Sequence, residues 1–236
     1  MNEDARLKEW FVPKFGPLKF RIFVGLLFLP YTGMCVSYTI IGSMLSHDLH
    51  WDRVAAIVVI YTLALGVSAH AADSLGSKRI KPWGTYFKRR DLALLMVVSL
   101  SASYLIGTYY IVSYVPLLSI VAILEGFFVF VYNFELLKGF FHKNFWFSLS
   151  WGALPVLAGY VMQTNSIGIL PILVSILAGF LSYVEIKISR PYKELKRSDA
   201  DGEDARRLET ILKTTSLGTI ISAIVIIICR MNFHIL

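Results

Sequence analysis

GVSAHAADSLGSKRIKPWGT, residues 66–85, is the stretch on which the reading of this chain turns. An apolar run ends in His70 and Asp73, and a strongly basic segment comes directly after it. The two residues are three apart and share one face of any helix that carries them. They are a ligand site, the remnant of one, or the polar edge of a membrane span.

Composition favours the membrane. Of 236 residues, 56% are hydrophobic and 17% charged, and the mean hydropathy is +0.63. A soluble domain carries about 25% charged residues, and here the charges come in bursts between long apolar runs. Seven runs are long enough for a helix to cross about 30 Å of hydrocarbon: Ile22–Leu45, Val54–Ala72, Leu92–Val112, Val115–Phe134, Phe145–Met162, Ile167–Val184 and Ile211–Cys229. Lipid offers no partner to an open backbone and the runs lack a barrel's alternation, so each reads as a helix. The first is too long for a signal-peptide core and is expected to be retained. The expected fold is an all-α polytopic membrane bundle forming a single integral domain over residues 1–236. Cys35 and Cys229 lie inside apolar runs and imply no disulfide framework.

Orientation comes from Lys and Arg. The segments before the first run and after the second, fourth and sixth hold 21 of the 23 basic residues. The other side holds only Arg53 and Arg230. This bias places the N-terminus in the cytoplasm and the C-terminus outside the cell membrane. The net charge of +7 is thus mainly a topological signal, with attraction to anionic lipid beside it. No basic module for nucleic acid is present. The stretch SDADGEDARRLET after the sixth run reads as a short surface helix.

Chemistry in such a chain lies in polar groups at membrane depth, which are costly there. His70 and Asp73 close the second span. Tyr132, Asn133 and Glu135 close the fourth, and Glu185 closes the sixth. Glu125 lies deeper and reads as a neutral carboxyl hydrogen-bonded to a neighbouring helix, a proton or ion relay being the sharper alternative. A transition-metal site needs three or four ligands; His142 would add one, but the sequence does not fix where it sits. Asp73, Glu135 and Glu185 each offer a carboxylate to magnesium. WGALPVLAGY, residues 151–160, reads as close helix packing with a kink.

These parts, in this order, resemble the UbiA-type intramembrane prenyltransferases. The family carries an Asp-rich motif, N-D-x-x-D-x-x-x-D, at the end of its second helix, with a basic R-P…G continuation. Here Ala69-His70-Ala71-Ala72-Asp73…Ser77 stands in that place. Asp73 matches the second aspartate and His70 replaces the first. KPWGT at residues 81–85 stands for the continuation. YNFELLKGFFHKNFWFSLSWGALPVLAGY, residues 132–160, resembles the connection between the fourth and fifth helices. YVEIKISRPYK, residues 183–193, stands where the second Asp motif belongs and keeps only Glu185. The family usually has nine spans against seven here.

The resemblance implies transfer of an isoprenoid from its diphosphate to a lipophilic acceptor within the membrane. It assigns catalysis to His70 and Asp73, diphosphate binding to Lys78, Arg79, Lys138, Lys187 and Arg190, and Mg2+ to Asp73 and Glu185. Tyr132, Asn133 and Glu135 would complete the polar cavity. Two alternatives stand beside it. One is a catalytically inactive UbiA-like scaffold that binds a lipid, quinone or partner subunit. The other is a small proton- or ion-coupled transporter built on Glu125 and the His70–Asp73 pair.

Overall fold

The computed structural model of the chain describes residues 7, 9–77, 86–198 and 202–233. Every long regular element among them is helical. In chain order these are α1 (Leu18–Leu26), α2 (Leu29–Met44), α3 (Trp51–Gly76), α4 (Arg89–Ser113), α5 (Leu118–Asn133), α6 (Asn144–Thr164), α7 (Ile169–Arg197) and α8 (Glu203–Phe233). Five of them, α3, α4, α6, α7 and α8, are long and apolar enough to cross a membrane.

The first expected span differs from a single helix. It is broken into α1 and α2, which meet at 42° and together make a sixth candidate. The cause is local. Phe28 takes a left-handed conformation, φ 46° and ψ 56°, and Pro30 comes at the second position of α2. Proline fixes its own φ and has no N–H to donate, so it suits the first turn of a new helix better than the middle of an old one. α5 is shorter than the expected fourth span, at 16 residues.

The sixth span differs in the other direction. Its apolar run stops at Val184, yet α7 continues through Pro191 to Arg197. Glu185, Ile186, Ser189 and Tyr192 lie buried along one face of that extension, which is the helical period written in mostly polar residues. α8 begins at Glu203, so Arg206 and Arg207 belong to the last long helix and not to a separate surface helix. Ser198 caps the end of α7, and residues 199–201 between the two helices lie outside the described residues. The extensions of α7 and α8 are clamped at Glu209. It accepts from the Tyr192 hydroxyl at 3.0 Å and the Lys213 ammonium at 2.7 Å, with Lys196 at 3.7 Å.

α6 is the hub. Two thirds of its apolar window is buried, against 22% for α4 and for α8, which present most of their surface outward. α2 lies against α6 at backbone distance, where Gly42 faces the Val156 carbonyl and Gly159 faces the Thr39 carbonyl. A Cβ at either position would strike that carbonyl. The Ser43 hydroxyl, buried in the same seam, donates to the Thr39 carbonyl at 2.9 Å and lies 3.2 Å from the Gly159 carbonyl. Small residues of this kind let helices pack by van der Waals contact where lipid removes the hydrophobic driving force.

The helix ends fall into two groups. At one end Arg53 donates to the Gln163 carbonyl at 2.9 Å. Arg230 donates to the carbonyls of Ser46 and His47 at 2.6 and 2.5 Å. Arg53 therefore closes the C-terminal end of α6, where unpaired carbonyls and the helix dipole favour a cation, and Arg230 ties down the turn that follows α2. The opposite end carries the remaining described basic residues and is the basic end of the bundle.

Candidate functional site

The site is built at the basic end from the termini of four helices, and two of those helices are distorted where they supply it. α3 passes through a π-type stretch, Thr62–Ala69, directly before His70. α6 has a second one, Leu149–Ala153, which contains Ser150 and Trp151. The wider π turn shifts the register of the helix beyond it, and such bulges concentrate at functional sites. The left-handed Phe28 adds strain of the order of 1 kcal/mol or more at the same place.

These distortions bring one set of rings together. His70 stacks on Phe28, with ring centres 5.7 Å apart, and lies 5.0 Å from Trp151. Trp151 stacks flat on Phe147 at 5.4 Å, and Phe147 meets Tyr31 edge-on at 5.5 Å. Tyr31 in turn lies 4.8 Å from Phe28. Lys193, one turn beyond Ser189 on α7, stands over this group. Its ammonium lies 4.2 Å from the Phe28 ring centre and 5.4 Å from that of Tyr31, within cation–π range. The Thr32 hydroxyl donates to the Leu27 carbonyl at 2.7 Å, and its oxygen lies 3.4 Å from His70 Nε2. With the threonine proton used, Nε2 is the donor in that contact.

Below the rings lie polar atoms that find no partner among the described residues. The Tyr31 hydroxyl and Glu185 Oε2 are both buried in this way. Ser189 stands beside Tyr31 without hydrogen-bonding geometry, and Glu185 lies within electrostatic reach of both Tyr31 and Lys193. An unsatisfied buried polar group costs roughly 1–3 kcal/mol. Two in one place call for a reason.

Asp73 sits one turn beyond His70. It is held near Tyr132 because Gly76 lies against the backbone of Asn133 and Phe134, where a Cβ would clash. Both Asp73 and Arg190 act electrostatically on the Tyr132 hydroxyl. The Tyr132 ring stacks on His142 at 4.6 Å, and His142 Nδ1 lies 3.0 Å from the Tyr132 carbonyl. Asn133 is buried and its amide donates to the Val129 carbonyl at 2.8 Å. Glu135 has φ 47°, and Leu137 and Lys138 are also left-handed at 52° and 58°.

The structure thus gathers His70, Asp73, Tyr132, Glu185 and Arg190 around one end. Lys138 is exposed on its strained loop, and Lys187 is exposed on the face of α7 opposite Glu185 and Ser189. Lys78 and Arg79 lie outside the described residues. The sequence reading passed over the aromatic set, Phe28, Tyr31, Phe147 and Trp151. Its available signal was a proline two residues after a phenylalanine inside an apolar run. Among the described residues no three His, Cys, Asp or Glu side chains gather. Asp73 and Glu185 supply one carboxylate each.

Glu125 lies apart, on α5. Its carboxyl accepts from the Tyr61 hydroxyl of α3 at 3.1 Å and from the Ser150 hydroxyl of α6 at 2.6 Å. It faces a mostly apolar space lined by Leu118, Val121 and Ala122, with Ser103, Tyr104 and Thr108 among the walls.

No family model matches the chain, and no curated protein or solved structure is significantly similar to it.

Proposed function

We propose that this chain is a UbiA-like membrane protein that binds an isoprenoid diphosphate, or an anionic lipid built like one, at its basic end. Positive-inside bias puts that end in the cytoplasm, and the reading counts the shorter α5 as a span beside the six candidates, α1 with α2, α3, α4, α6, α7 and α8. One observation carries the reading. Lys193 stands over the rings of Phe28 and Tyr31, the first of which stacks on His70, and the buried Tyr31 hydroxyl and Glu185 carboxyl belong to the same group. Such a site offers an anionic head a cation and hydroxyl donors, and offers an unsaturated chain flat aromatic faces. The strain at Phe28 and the unsatisfied polar atoms are the cost of keeping it in place.

The intervening rings favour binding over chemistry. Phe28 links His70 to Lys193, and Trp151 and Phe147 link His70 to Tyr31, so the space between the two motif remnants is filled by side chains. Transfer of the isoprenoid to a lipophilic acceptor is the second reading. In it the allylic carbon–oxygen bond breaks, diphosphate leaves, and the acceptor takes the carbon. Asp73 and Arg190 both lie within electrostatic reach of the Tyr132 hydroxyl, which favours it, because a hydroxyl near a carboxylate and a guanidinium can carry a proton.

The test is direct binding of labelled geranylgeranyl diphosphate to the purified protein in nanodiscs. Lys193→Ala is expected to weaken binding about tenfold, the loss of one charge-assisted contact. Unchanged affinity in that variant would remove the reading. Adding lipid extract and magnesium separates the two versions. A prenylated product that disappears in Asp73→Ala establishes transfer, and binding without product establishes the scaffold.

A further inference from the structure

The residues ahead of α1 form a packed turn at the basic end. Leu7, Glu9 and Val12 are buried there, and the Val12 amide donates to the Glu9 carbonyl at 3.1 Å. Arg21 of α1 ties the turn down. Its Nε donates to the Pro13 carbonyl at 2.6 Å, and a terminal guanidinium nitrogen donates to the Leu7 carbonyl at 3.3 Å. Leu7 and Val12 pack with Ile22 and Leu26 of α1, Ala71 of α3 and Leu92 of α4. Phe11 lies on Phe28, with ring centres 4.7 Å apart. Trp10 meets the clamp between α7 and α8: the Lys213 ammonium is 5.5 Å from its ring centre, and its backbone lies beside the Tyr192 hydroxyl. One turn therefore links α1, α3 and α4 to α7 and α8.

The residues between the turn and α1 are different. Lys14, Phe15, Gly16 and Pro17 are exposed. Gly16 has φ 87°, a conformation that glycine takes without a steric cost. A packed turn joined to a helix by four exposed residues has the form of a lid on a hinge.

Glu9 says what the lid covers. It is 1% exposed, and burying a carboxylate is costly unless charges or donors surround it. It lies within electrostatic reach of the Tyr31 and Tyr192 hydroxyls. Each of those tyrosines has a cation of α7 over its ring. Lys193 is 5.4 Å from the Tyr31 ring centre, and Lys196 is 5.7 Å from that of Tyr192. Carboxylates and phosphates take the same charge-assisted partners. The chain thus brings an anion of its own to the group that the proposed function gives to an anionic head.

We propose that this turn is an autoinhibitory lid: Glu9 stands in for the ligand's anionic head, and the head binds by displacing Glu9 and lifting the turn off Phe28. The inference rests on the binding reading of the basic end. Its first test is Glu9→Gln, which removes the charge and keeps the shape. In nanodiscs the variant is expected to bind labelled geranylgeranyl diphosphate about tenfold more tightly than wild type, because a competitor worth one charge-assisted contact is gone. Loss of charge alone would raise affinity without moving the turn, so a second measurement reads displacement. Val12 is 2% exposed. Val12→Cys is made together with Cys229→Ser, since Cys229 is exposed and Cys35 is buried. Its thiol is expected to react slowly with a water-soluble maleimide, and several-fold faster once the diphosphate is added. An unchanged or slower reaction on adding ligand would overturn the lid, whatever the affinity of Glu9→Gln. Equal or weaker binding by Glu9→Gln, while Lys193→Ala still loses affinity, would also overturn the lid and leave the head site standing. If neither wild type nor Glu9→Gln binds the diphosphate, the head site falls and the lid with it.

Discussion

The two ends of this bundle handle backbone in opposite ways. At the end capped by Arg53 and Arg230, free carbonyls receive guanidinium donors. The one left-handed residue described there is Asn165, φ 49°, whose side chain accepts from the Leu117 amide at 2.9 Å. Asparagine tolerates that conformation and repays it with a bond. At the basic end positive φ falls not only to Gly16 and Gly139 but also to Phe28, Glu135, Leu137 and Lys138, none of which is suited to it. Buried polar atoms there also go unmatched. One end is built for stability, and the other departs from stability where His70, Tyr31 and Lys193 meet. Strain that local sequence does not need is the clearest pointer to function in the molecule.

Substitutions can break or sharpen that contrast. The largest expected effect comes from removing both capping arginines. Arg53→Ala with Arg230→Ala should cost about 3–6 kcal/mol, at roughly 1.5–3 for each charged hydrogen-bonding group. Unfolding in detergent would show the loss, while the protein that remains folded should bind ligand as before. Reduced affinity in that folded fraction would mean the two ends are not separate. Next in size is Lys193→Ala, about tenfold in binding, or about 1.4 kcal/mol, with a smaller change in unfolding midpoint than the double arginine variant. A collapse of stability instead would make Lys193 a structural cation. The smallest effects concern the strained loop. Leu137 is 64% exposed, so Leu137→Gly gives up little packing and should stabilise by about 0.5–1 kcal/mol. Asn165→Gly keeps the backbone conformation but loses the bond to Leu117, and should destabilise by about 0.5–1.5 kcal/mol. If both changes move the midpoint the same way, the contrast between the ends is wrong.

The helical bundle was legible in the sequence because lipid imposes a simple rule on length and hydropathy. The details that make the site were not. The apolar run from Ile22 to Leu45 conceals the break at Phe28, because hydropathy ignores backbone direction and Pro30 alone marks it. The π stretches before His70 and around Trp151 leave no mark in composition. They arise from how α3 and α6 pack. α7 outran its apolar segment because a buried stripe of Glu185, Ile186, Ser189 and Tyr192 keeps helical period after hydropathy has fallen. His70 and Asp73 were visible as polar residues at a span end. Their ring partners were hidden among many other aromatic residues, many of them exposed.

The bend at Phe28 has a consequence in time as well as in space. Returning Phe28 to the right-handed region would straighten the first span, and the ring would have to withdraw from between His70 and Lys193 to allow it. Straightening and emptying the ring cluster are thus a single event. A ligand that needs the ring in place should lower the frequency of that event in proportion to its affinity. A membrane helix would be reporting occupancy by how often it tries to become straight.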